Sequence, residues 1–202
     1  VNKELLNVAV EEDIDDEAAA QLKAAIASFG QDAEFHEIPR RGPQASLLLL
    51  GFTSIALVFG GAFVKKLGDK AAEDCYPHIK NALLDVCKKY FGKDAKYRSL
   101  IVTSSEKKSP GTKYSLILAI YCVGVHNERV KFLYVTDWSH EEFEEATCAY
   151  IKSMAEFVNG NGGAVSKLIS DNPSRMQPYL IAWDSSEKKL VRVNALPVGV
   201  DI

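Results

Sequence analysis

Between Arg41 and Lys65 the chain carries no charge, and the middle of that run, Ser46–Val64, reads SLLLLGFTSIALVFGGAFV. A helix needs about 20 apolar residues to cross the hydrocarbon core of a bilayer. This segment therefore decides between two kinds of molecule. In one, residues 46–64 span or insert into a membrane. In the other they are internal, as a core helix or as a strand followed by a helix, wrapped by the rest of the chain. A span would isolate the first forty residues, and pieces that small rarely fold without disulfides, metals or partners. The flanking charges are balanced, with Arg40 and Arg41 before the run and Lys65, Lys66 and Lys70 after it. That balance removes the asymmetry which orients a membrane helix. Gly51, Gly60, Gly61, Thr53 and Ser54 suit close packing against backbone in either setting. Burial is the expectation, and a membrane-inserting or membrane-anchored protein using residues 46–64 is the alternative.

At 202 residues the chain can bury roughly 70% of the surface its unfolded form exposes. A single α+β domain over 1–202 is expected on that ground. The formal charge is −3, with acidic and basic residues interspersed, and no basic stripe of the kind a nucleic-acid partner demands. The four cysteines, Cys75, Cys87, Cys122 and Cys148, form no C-x-x-C pair. Each sits in an apolar or amphipathic stretch, where a free thiol behaves as a small buried hydrophobe. Scattered thiols and an acidic, signal-free opening over Val1–Asp16 point to a reducing, cytoplasmic setting.

Residues 1–41 read as a β-α-β unit: a strand over Leu5–Val10, a helix over Ala18–Phe29 and a strand over Ala33–Ile38 closed by Pro39. Leu22, Ala25, Ile26 and Phe29 share a helix face, and Gly30 stops it. Residues 43–92 are expected to form apolar and then amphipathic helices, with Leu67, Cys75, Ile79, Leu83 and Tyr90 at near-helical spacing and Pro77 kinking or restarting the run. Residues 96–202 begin with three strands, Tyr97–Ser104, Tyr114–Val125 and Val130–Thr136, read as an antiparallel meander. The middle strand is apolar on both faces, which marks it as central and covered on both sides. Ser139 and Glu142 then form a capping box, with Trp138 and Phe143 as its staple. The helix they open runs to about Val158. A short helix over Ala164–Ser170 follows, and a hairpin over Gln177–Trp183 and Lys189–Leu196 closes the chain. The expected sheet is mainly antiparallel. The pentapeptide Ser-Ser-Glu-Lys-Lys occurs at 104–108 and at 185–189, in both cases at a predicted turn, and is read as coincidence.

No motif fixes a reaction. The glycine loop Asn159–Gly163 with Ser166 and Lys167 lacks the third glycine of a dinucleotide fingerprint and any Gly-Lys-Ser/Thr. Asp74-Cys75-Tyr76-Pro77-His78 offers a thiol and an imidazole, but no second ligand pair at metal spacing. Asp137 and His140 flank the capping box, where a carboxylate could orient an imidazole. His36 and Glu37 adjoin on a strand and so point to opposite faces. His126 sits in a turn without an evident partner. Glu141, Glu142, Glu144 and Glu145 read as a solvated helix face favoured by the macrodipole. No cofactor and no metal are expected. The leading expectation is a non-enzymatic protein-binding or accessory module, acting on a protein partner or by self-association. An enzyme assembled around Asp137 and His140, with His78, is the remaining alternative.

Overall fold

The computed structural model describes residues 6–11, 16–27, 33–38, 55–61, 64, 81, 83–84, 113–174 and 177–194. Its described elements are β1 (Leu6–Glu11), α1 (Asp16–Ala27), β2 (Ala33–Ile38), β3 (Ile55–Phe59), β4 (Tyr114–Val123), β5 (Arg129–Val135), α2 (His140–Val158), α3 (Gly163–Asp171), β6 (Tyr179–Asp184) and β7 (Lys189–Val193). The seven described strands join one sheet in the order β2-β1-β3-β4-β5-β6-β7.

The opening β-α-β unit is present: β1 and β2 pair in parallel, Leu6 opposite Ala33 through Glu11 opposite Ile38. The apolar run behaves differently from a continuous helix. Its residues Ile55–Phe59 are β3, antiparallel to β1 and parallel to β4. A β-branched and aromatic segment closed by Gly60-Gly61 suits a pleated surface better than a helix. Ile55, Leu57 and Phe59 are 0–2% exposed. Helical backbone resumes at Gly61 and Val64, where the Val64 N–H donates to the Gly60 carbonyl at 3.0 Å. The helical expectation over 43–92 is therefore corrected at β3, which matches the strand-then-helix form of the buried reading. No described helix is long and apolar enough to cross a membrane. The expected helix over 65–92 and strand over 97–104 lie outside the described residues, apart from helical backbone at Asn81, Leu83 and Leu84.

The expectation of a mainly antiparallel sheet is also corrected. Pairs β1–β2, β3–β4 and β5–β6 are parallel, while β1–β3, β4–β5 and β6–β7 are antiparallel. Over Leu118–Cys122 the neighbours of β4 are β3 and β5, so the meander reduces there to the β4–β5 hairpin. The physical reason is the crossovers: a helix between two strands returns the chain parallel to where it left. α1 does this for β1–β2, and α2 with α3 do it for β5–β6.

One face of the sheet carries the main core. Val8, Leu57, Ile120, Phe132 and Ile181 share it by register, and α1, α2 and α3 pack on it through Leu22, Ile26, Phe143, Tyr150, Met154 and Val165. The opposite face is buried at Ala119, Lys131, Leu133, Leu180 and Ala182. There a second cluster forms around Leu133, Leu180 and Ala182. Toward its far end β4 opens to solvent, with Val123 39% exposed.

Candidate functional site

Strands β5 and β6 leave the sheet side by side and in the same direction, and ladder pairing between them ends at Leu133 and Ala182. Beyond that point the Tyr150 hydroxyl takes the place of the ladder. It accepts from the Trp183 N–H at 2.8 Å and donates to the Leu133 carbonyl. Burial pushes the Tyr150 phenol well above its ordinary pKa, with Tyr134 adding to the effect. The ring belongs to a buried aromatic group in which Tyr134 stacks on Phe143 at 4.6 Å and meets Trp138 edge-on at 6.0 Å. The expected staple residues thus meet on Tyr134. Its hydroxyl is 3.0 Å from Thr147 Oγ1, which donates back to the Phe143 carbonyl. This rigid base fixes the start of α2 against the ends of β5 and β6. In sheets with parallel strands, crevices at such carboxyl ends are where ligands bind.

The capping box forms as expected: Glu142 N–H donates to Ser139 Oγ at 3.2 Å and Ser139 N–H to Glu142 Oε2 at 2.9 Å. The Ser139 backbone bond, then the Ser185 hydroxyl, hold the Glu142 carboxyl below its usual range. Ser185 belongs to the β6–β7 turn, and so does Lys188, whose ammonium binds both Glu145 oxygens at 2.5 and 2.6 Å. The second Ser-Ser-Glu-Lys-Lys copy therefore clamps the hairpin to the first turns of α2, and the first copy lies outside the described residues. Asp184 closes the turn by accepting from Ser186 Oγ and Glu187 N–H, which lower its pKa.

Between helix and hairpin lies an open groove of about 540 Å³ lined by Glu141, Glu144, Glu145, Cys148, Trp183 and Lys188. The four helix residues stand at i, i+3, i+4 and i+7, a second stripe beside the buried one of Phe143, Ala146, Thr147 and Tyr150. That spacing is the signal in the sequence; reading the glutamates as a solvated face missed the indole that a distant strand brings to them. The half-buried Trp183 ring and the Cys148 thiol give the groove apolar surface. Three carboxylates stand against the Lys188 ammonium, already engaged by Glu145. Cys148 is exposed, contrary to the expectation of four buried thiols, because it lies on the helix flank turned away from the core. Cys122 is buried as expected, and burial pushes its thiol pKa up.

Asp137 and His140 are exposed on the turn into α2, and neither lines the groove. His78 and Cys75 lie outside the described residues. The glycine loop joins α2 to α3, with Gly160, Gly162 and Gly163 at positive φ, so its glycines are explained by the turn between the two helices. His126 N–H donates to Glu128 Oε2 at 3.1 Å in the β4–β5 turn. His36 points away from Glu37 and lies instead with Glu34 and Asn7. Among the described residues no three His, Cys, Asp or Glu side chains are grouped to hold a metal ion. Comparison with protein-family models, curated proteins and solved structures finds no match for the chain.

Proposed function

We propose that this chain is a non-enzymatic protein-binding module whose contact surface is the groove between α2 and the β6–β7 hairpin. The observation that carries the reading is the half-buried Trp183 indole set beside the carboxylates of Glu141 and Glu144. Tryptophan is among the side chains most often found anchoring protein contacts. Its setting is firm, because Tyr150 holds the Trp183 backbone and the Lys188–Glu145 pair holds the hairpin. Charge complementarity selects a partner segment bearing Lys or Arg, whose cation can lie over the indole face and between the carboxylates.

Nuclear magnetic resonance tests this directly, because the chain has two tryptophans and only Trp183 lines the groove. Short Lys/Arg-rich, Asp/Glu-rich and uncharged peptides are titrated into the ¹⁵N-labelled protein. The basic peptide is expected to move the Trp183 indole signal and the Glu141–Cys148 amides, and to leave Trp138 in place. Charge reversal by Glu141→Lys with Glu144→Lys should abolish the shift. Movement of Trp183 by none of the peptides would contradict the proposal.

A further inference from the structure

At the other side of the sheet, β1 and β2 bring three donor atoms together. Asn7 and Glu34 are register partners on the parallel pair, and His36 follows Glu34 by two residues, so all three side chains stand on one face. His36 Nε2 lies 3.2 Å from Asn7 Oδ1 and 3.4 Å from Glu34 Oε2. Asn7 is 2% exposed, whereas the Glu34 and His36 side chains are 43% and 38% exposed. The oxygen beneath is therefore fixed and the imidazole and carboxylate above it are open to solvent.

We propose that Glu34, His36 and Asn7 form a binding site for a divalent transition-metal ion of the zinc or cobalt type. The spacing supports this. Metal–ligand distances of about 2.0–2.2 Å give donor–donor edges of about 3.0 Å at right angles and about 3.4 Å at tetrahedral angles. Both measured separations fall in that interval, and the Glu34 contact is long for a charge-assisted N–H···O bond, which closes to about 2.7–2.9 Å. A ligand set of one imidazole, one carboxylate and one amide oxygen suits borderline ions better than calcium or magnesium, which take all-oxygen shells. Water would complete the coordination from the open side. Alternate residues on one strand are a natural chelate, since they share a face about 7 Å apart along the backbone and side chains of this length can converge.

The test uses the untagged full chain with zinc or cobalt chloride alone, followed by titration calorimetry and, for cobalt, by visible absorption. One ion is expected to bind per chain at this site, and His36→Ala and Glu34→Gln should each weaken it at least tenfold. Glu37→Gln, on the same strand but the opposite face, should leave it unchanged. Because β2 is the outermost described strand, each variant is first checked for a native amide spectrum, and the broadening of the Asn7 and His36 signals by cobalt in the unaltered protein gives a readout that needs no variant. Absence of saturable binding, or binding that both His36→Ala and Glu34→Gln retain in full, would overturn the site.

Discussion

Lys131 lies on β5 in the middle of the sheet, 1% exposed, with its ammonium 5.3 Å from the centre of the Tyr121 ring. Burial lowers its pKa from 10.5 to about 7, and at about 1.4 kcal/mol per unit this is a penalty of several kcal/mol on the charged form. The sign follows from linkage. Below about pH 7 the amine is protonated in both states and the penalty is fully present. Between about 7 and 10.5 the folded chain has released a proton that the unfolded chain keeps, so stability rises with pH across that window. Lys131→Met is therefore expected to raise the urea midpoint at pH 7 and to flatten its rise toward pH 9.5. A lower midpoint at pH 7 would contradict this account of the residue. Tyr150 works in the opposite sense, since its hydroxyl satisfies two backbone groups where β5 and β6 part. Tyr150→Phe leaves both unsatisfied, at about 1–3 kcal/mol each, so a loss of about 2–4 kcal/mol is expected by denaturant titration. Gly124 leaves no space for a side chain: a Cβ there would lie 2.5 Å from the buried Phe157 ring. Gly124→Ala should cost about 1–3 kcal/mol through overpacking.

At the scale of elements, α2 was the most legible part of the chain. Ser139, Glu142, Trp138 and Phe143 announce its start within six residues, and the observed helix begins at His140 with the full capping box. Ser139→Ala should cost about 1 kcal/mol, read as a lower denaturation midpoint. Local signals of this kind need no knowledge of the rest of the fold, and the same holds for β2, observed over Ala33–Ile38, the run that the sequence reads as a strand ahead of Pro39. The groove was not legible in the same way. Its helix stripe is visible as a spacing, but Trp183 and Lys188 reach it only because β6 lies parallel beside β5. Nothing within either segment states that adjacency. The His36 site shows the same limit: the alternation Glu34-x-His36 is in the sequence, while Asn7 comes from the strand next door.

For the whole molecule, the apolar run is the joint. Its residues Ile55–Phe59 stand between β1, with the opening β-α-β unit, and β4, with everything that follows. Composition alone could not separate this from a helix, because Ile, Leu, Val and Phe serve a covered strand and a buried or membrane helix equally well. Parallel pairing of β3 with β4 also depends on residues far apart in the chain, which hydropathy does not register. The sheet accordingly alternates parallel and antiparallel pairs where a local reading of consecutive strands gave a meander. Hydrogen exchange over Ile55–Phe59 tests this role most directly. A strand paired on both sides inside the sheet should exchange only through global opening, at the same free energy as Leu118–Cys122 and Val130–Leu133. Rapid exchange of these five amides, while those of β4 and β5 remain protected, would show that the run does not join the two halves.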